Sequence, residues 1–325
     1  MSPAVVRVAA TALLFAVSVP APAQQAAKVH RIGFLSPDRT STFDAFRQGL
    51  RDLGYVEGRN VAVEARFADG TVEHFSELAA ELVRLKVDVL VAGSPLGAST
   101  AKKATSTIPI VFAGVGDPLT SGIVANFARP GGNITGSAVG ASGPTLGGKW
   151  LELLKEAVPD VSHVAALANR ANRSNSPYLK GVEDAARALK LKLDIFDAGN
   201  PAELDRALAA VGASGAQAMV VTNDTFLFVA REKVVQFASG KRLPAMYFFK
   251  HFADAGGLMS YGASLEESYR RAATYVDKIL KGAKPGELPV EQPTRYEFVI
   301  NMKAARALGL KIPQSLRLRA DHLIE

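Results

Sequence analysis

The sequence contains no cysteine, which excludes a disulfide, a thiolate metal site and a lipid anchor carried on cysteine. Histidine is scarce: the five, at 30, 74, 163, 251 and 322, show neither His-x-x-x-His nor His-x-His spacing, so no metal site is expected. The formal charge of +7 is not concentrated. It is spread over pairs such as Lys102-Lys103, Lys241-Arg242 and Arg270-Arg271, whereas a nucleic-acid groove needs a dense basic stripe, so a solvated surface and no nucleic-acid partner are expected. Aromatic residues make up only 7%, with a single tryptophan, while alanine is abundant, as suits amphipathic helices packed on a sheet.

Catalytic motifs are also wanting. Residues 143–149 match the GxxxxGK spacing of a phosphate-cradling loop, but Trp150 stands where magnesium needs a hydroxyl and no strand immediately precedes Gly143, so a chance match is expected. Gly114 and Gly116 lack the third glycine of a dinucleotide fingerprint, and neither Ser142 nor Ser214 completes GxSxG. No cofactor and no catalytic residue are expected.

What is present begins with an export signal. One arginine, Arg7, precedes an apolar run at 8–19, followed by Pro20 and the small residues Ala21-Pro22-Ala23 of a cleavage site. That run is about 12 residues, short of the roughly 20 that span a bilayer, so cleavage near Ala23, a mature start at Gln24 and a periplasmic location are expected. The 325 residues are 48% apolar, ample for two cores, and two domains are expected.

Strand and helix then alternate. Residues 31–35 read as a buried strand, and Phe43, Phe46, Leu50 and Leu53 form the stripe of a helix that Gly54 stops. Strands are expected at 60–67 and 87–92, and helices from Phe75 to Leu85 and over 97–105. The organising stretch is 108–136: an apolar strand, a loop at 114–118, a short helical run, then Arg-Pro-Gly-Gly-Asn and another strand. The pattern repeats, with Ile32 and Val164, Gly49 and Gly181, and Val61 and Leu193 each 132 residues apart. Glycine-rich residues 136–148 read as a crossing segment, and a helix carrying Trp150 opens the second half. A strand at 258–261, a long helix from Leu265 to Leu280, a strand at 296–300 and a helix at 302–308 follow, returning across the cleft. The fold class is α/β: two doubly wound parallel-sheet lobes with a multi-crossing hinge and a ligand cleft between them. The boundaries expected are 1–23 for the signal peptide, 28–140 plus about 264–284 for lobe 1, and 141–263 plus about 286–318 for lobe 2.

In open α/β sheets ligands sit beyond the carboxyl ends of the strands. Ser36, Ser94, Gly116 and Asp117 fall there in the first half, and Asn169, Asn172, Asn223 and Asp224 in the second, with Phe248 and Tyr261 nearby. Each also suits a turn or helix cap. As ligand residues, Ser36 and Ser94 would offer donors to a carboxylate, Asp224 a counter-charge to an ammonium, and Phe248 and Tyr261 an aromatic surface.

From about 31 to 325 the chain resembles the ABC-transporter substrate-binding proteins of the periplasmic-binding-protein type I superfamily, in a family with aromatic amino-acid binders. The resemblance rests on Gly-Phe-Leu-Ser at 33–36, Ile-Pro-Ile-Val-Phe at 108–112, Gly-Asp-Pro at 116–118, Arg-Pro-Gly-Gly-Asn-Ile-Thr-Gly at 129–136, Gly-Gly-Leu-Met-Ser-Tyr-Gly at 256–262 and Leu-Pro-Val-Glu-Gln-Pro-Thr at 288–294. It implies a monomer that closes two lobes on a small solute, best an apolar or aromatic amino acid, and presents it to an ABC permease in the inner membrane. A sensor serving a membrane receptor stays open as a second role. A cleft hydrolase lacks its nucleophile and base, and a repressor lacks a helix-turn-helix before the first strand.

Overall fold

The computed structural model describes residues 29–69, 71–140 and 143–325. The export signal expected at 1–23 lies outside the described residues. Among the described residues no helix is long and apolar enough to cross a membrane.

Strands β1 (His30–Ser36), β2 (Val61–Phe67), β3 (Val89–Gly93), β4 (Ile110–Val115) and β5 (Ile134–Ala138) form a five-stranded sheet in the order β2-β1-β3-β4-β5. All its pairings are parallel. Parallel sheets are covered on both faces, which is why β3, β4 and β5 are continuous buried runs rather than alternating ones. Helices α1 (Ser41–Asp52), α2 (Phe75–Arg84) and α3 (Ser94–Ala104) supply part of that cover. Phe43, Phe46 and Leu50 of α1 point inward, whereas Leu53, expected on the same stripe, is the C-cap and 39% exposed.

The second sheet has seven strands: β6 (His163–Ala168), β7 (Lys192–Asp197), β8 (Ala218–Val221), β9 (Ala245–Tyr247), β10 (Met259–Gly262), β11 (Glu297–Asn301) and β12 (His322–Ile324), in the order β12-β11-β10-β9-β8-β6-β7. It is parallel except where β11 returns antiparallel to β10, so the second sheet is mostly rather than wholly parallel. Its helices are α4 (Gly143–Ala157), α5 (Ser176–Ala188), α6 (Pro201–Ala213), α7 (Thr225–Val229), α8 (Arg231–Gly240) and α9 (Lys250–Asp254), with α11 (Met302–Leu308) and α12 (Gln314–Arg319) after the last crossing.

Helix α10 (Leu265–Leu280) follows β10 yet packs against α1 and β3 to β5 of the first sheet. Its start is set by Ser264, whose hydroxyl accepts from the Glu267 amide at 3.2 Å, with Glu266 and Glu267 in the first turn. Leu265, Tyr269, Ala272, Ala273 and Val276 form the buried stripe. The chain thus passes between the sheets after β5, after β10 and again between α10 and β11.

Three local expectations give way. No helical run follows Pro118: the Asp117 carboxylate accepts from the amides of Leu119 and Thr120, and Gly122, at φ +73°, closes a turn in place of a helix. Helix α3 begins at Ser94 rather than near Gly97, because Pro95 sits in its first turn, where a missing N–H is harmless. The crossing expected over 136–148 is shorter, since β5 runs to Ala138 and α4 starts at Gly143. The GxxxxGK match therefore lies within a helix. There glycine allows α4 and α5 to meet closely: a Cβ on Gly181 would fall 2.0 Å from the Pro144 carbonyl oxygen. Gly181→Ala is expected to push the helices apart and lower unfolding free energy by about 1 to 3 kcal/mol, measured by chemical denaturation. A variant as stable as the parent would refute the packing role.

Candidate functional site

The carboxyl ends of strands from both sheets meet across a cavity of about 360 Å³, counting its open mouth. The first sheet contributes Ser36 at the end of β1, Ser94 after β3 and Gly114 near the end of β4. Gly114 has φ +73° at a register shift between β4 and β5, a bulge that a side chain would strain. The second sheet contributes Asn223, Asp224 and Thr225 after β8. Apolar walls come from Phe228, Phe249, Leu265 and Tyr269, and Asp38 adds a carboxylate. The free centre holds little more than a water molecule, so a larger solute enters only when the walls part.

A second opening, about 890 Å³ counting its open side, shares Pro95, Asp224 and Thr225 with the first. Its other walls include Leu96 and Ile123 on one side and Asn169, Asn172 and Arg173 on the other. The two spaces are consecutive stretches of one cleft.

Asp224 is 4% exposed and caps α7. Its Oδ1 accepts from the amides of Phe226 at 2.8 Å and Leu227 at 3.2 Å, and its Oδ2 from Asn172 at 2.9 Å and Asn169 at 3.1 Å. Burial raises its pKa, and these four donors work against that rise. Among the described residues one buried polar atom nearby has no partner, the Thr225 hydroxyl on the wall shared by both spaces, while the Asn223 side chain stands against the Tyr178 hydroxyl. Tyr269 reaches the cavity because Gly93 has no side chain; a Cβ there would fall 2.1 Å from the Tyr269 hydroxyl. Burial pushes that hydroxyl far up in pKa, partly offset by a hydrogen bond with Ser36.

The structure brings together Ser36, Ser94, Asn223 and Asp224 at the cavity and places Asn169 in the adjoining space. Gly116 is buried close by, where a Cβ would lie 3.0 Å from Asn223 Nδ2. Three expected residues stand elsewhere. The Asp117 carboxylate is spent within its own turn, its Oδ2 accepting from the Thr120 hydroxyl at 2.6 Å. Phe248, 1% exposed, packs in the second core against Trp150 and Tyr178, and Tyr261 packs against Tyr296 and Phe298. The aromatic surface at the cavity comes from Phe249, Phe228 and Tyr269 in place of Phe248 and Tyr261. Tyr269 carried a signal, the apolar stripe of α10, but that stripe alone does not distinguish core from cleft. Asp38, directly after Ser36-Pro37, lay beyond a recognised strand end and could have been named by the same rule as Ser36.

Among the described residues no group of three or more His, Asp or Glu could hold a metal ion. A family model described as ABC transporter substrate binding protein matches residues 30–324. A tyrosine-binding protein of Clostridioides difficile is 24% identical over 280 residues, 86% of this chain and 78% of that protein. Two solved structures each superpose with a TM-score of 0.82 over 91% of this chain and 100% of theirs. One is a conserved domain protein from Vibrio cholerae, 28% identical. The other is an ABC domain in complex with L-Trp from Streptococcus pneumoniae, 23% identical.

Proposed function

Because the chain belongs to the ABC transporter substrate-binding protein family, we propose that it captures an amino acid with an apolar or aromatic side chain and delivers it to a membrane permease. It performs no chemistry, acts as a monomer, and is exported to the periplasm with cleavage near Ala23. The moving units are residues 28–140 with about 264–284 and residues 141–263 with about 286–318. The observation that carries this reading is the cavity itself, where rings of Phe228, Phe249 and Tyr269 face hydroxyls and the carboxylates of Asp38 and Asp224 from just beyond strand ends of both sheets. The solute's side chain rests on those rings. Its carboxylate meets Ser36, Ser94 and the Thr225 hydroxyl. Its ammonium meets Asp38, since the Asp224 oxygens already hold four donors. A sugar would require more planar polar side chains, and a phosphate more positive charge, than line this cavity.

The tyrosine binder and the L-Trp complex make aromatic amino acids the first solutes to test. Calorimetric titration of the mature protein should give one site per chain for L-tyrosine or L-tryptophan. At a hundredfold excess over Kd the solute should add about 2.7 kcal/mol to unfolding stability. Heat from a sugar or nucleoside but none from any amino acid would overturn the solute class.

A further inference from the structure

Phe228, 7% exposed, stands at the second sheet's side of the cavity with a cationic or titratable side chain on each flank. The Arg231 guanidinium lies 4.9 Å from its ring centroid, and the His251 ring 5.2 Å away at 66°. Both flanking residues reach the other lobe. Arg231 Nη1 donates to Asp38 Oδ2 at 2.7 Å, and both side chains are about one-fifth exposed. His251 Nε2 lies 3.6 Å from Glu266 Oε1 at the start of α10 and 3.5 Å from the Ser41 hydroxyl, which donates to the same Glu266 oxygen at 2.7 Å. Arg231 also donates to the Phe228 carbonyl at 2.9 Å, so its reach across the gap is tied to the residue that walls the cavity.

We propose that Arg231 and His251 are positioning residues that hold the two lobes together over the cavity, one on each side of Phe228. They act through Asp38 and Glu266, and the cross-lobe pairing sets how far the protein is closed before any solute arrives. Breaking one side of such a pair costs more than breaking a surface salt bridge, because both partners are largely removed from water and the remaining charge is left without its partner. The two points differ in chemistry. Arginine stays charged, so the Asp38 side is permanent. The His251 side responds to pH. His251 faces Glu266 of α10 and Ser41 of α1, with Arg231 of α8 and with Lys250 and Asp254 on its own helix. Burial, joined by Arg231 and Lys250, lowers its pKa below 6.5 against the opposing pull of Glu266 and Asp254. Ser41 and Glu266, which cover it, belong to the opposite lobe, so opening relieves part of that burial and lifts the pKa. With the pKa lower in the closed state than in the open one, closure is unaffected at a pH where both states carry neutral His251, and protonation as pH falls favours the open state. Glu266 stays ionised throughout this window, because His251, Ser41 and Lys250 together outweigh the rise that its burial alone would cause.

The test needs no solute, so it can fail independently of the proposed function. Small-angle scattering is measured on the parent, Arg231→Asp, Asp38→Arg and the double charge swap at pH 7.5, with circular dichroism to confirm that each is folded. Each single reversal should raise the radius of gyration by on the order of 1 Å over the roughly 19 Å of a compact chain this long, and the double swap should restore the parental value. Milder Arg231→Gln and Asp38→Asn variants should shift it the same way and replace any reversal that does not fold. The parent should also expand between pH 7.5 and 5.5, and His251→Gln should remove that expansion. Unchanged dimensions in the single variants, or a double swap as expanded as either, would overturn the Asp38 side. An expansion at pH 5.5 that survives His251→Gln would overturn the His251 side.

Discussion

Replacing Trp150 by alanine is expected to lower unfolding free energy by about 3 to 5 kcal/mol. Trp150 is fully buried on α4, stacked on Tyr178 with centroids 5.6 Å apart and edge-on to Phe248 at 5.7 Å. Its indole N–H donates to the Tyr261 carbonyl at 2.7 Å. Truncation therefore leaves a cavity where three rings met and removes the donor from a carbonyl at the end of β10, two separate penalties. Trp150→Phe keeps most of the volume and loses the donor, so it should cost less than half as much. As Trp150 is the only tryptophan, unfolding should be followed by circular dichroism. A loss below about 1 kcal/mol for the alanine variant would show that the α4 to α5 interface is not a main support of the second lobe.

Asp224→Asn is expected to destabilise the protein by about 2 to 4 kcal/mol. From the sequence, Asp224 is a counter-charge to an ammonium, a role whose loss would leave the empty protein's melting temperature unchanged. The carboxylate is instead the acceptor for two side-chain amides and two backbone amides. An asparagine there turns an NH2 group toward donors and leaves buried N–H groups without acceptors. Solute affinity should fall as well, but indirectly, because Asn169, Asn172 and the first turn of α7 lose the group that aligns them. Parental stability together with abolished binding would restore the counter-charge role.

What could be read from the sequence follows from which interactions are local. The strands around Ile32, Val89 and Ile110 are short apolar runs closed by glycine or proline, and that pattern is enough to place them. The helix α10 stripe of Leu265, Tyr269, Ala272 and Val276 is visible as a period. Its packing on the first sheet is not, since nothing in the stripe says which sheet it faces. Phe248 and Phe249 show the limit most plainly. They are consecutive residues leaving β9, and neighbouring side chains on an extended segment point to opposite sides. Phe248 enters the core and Phe249 the cavity, a one-residue phase that composition cannot fix. The pairing of Asp38 with Arg231 spans 193 residues and that of Ser41 with Glu266 spans 225. Such contacts depend on how the lobes sit, which no local pattern encodes.

Helix α10 has a consequence for the order in which the protein can be built. A ribosome releases the chain from its amino end, and all five strands of the first sheet have emerged by Ala138. The helix that covers β3 to β5 and seats Ala273 against Gly49 is made only after the second sheet is largely complete. Until then the Gly49 side of α1 and the faces of β3 to β5 that α10 covers lack their partner in the finished protein. The first lobe is consequently the last to mature, and the waiting chain exposes an apolar face that invites chaperone capture or proteolysis.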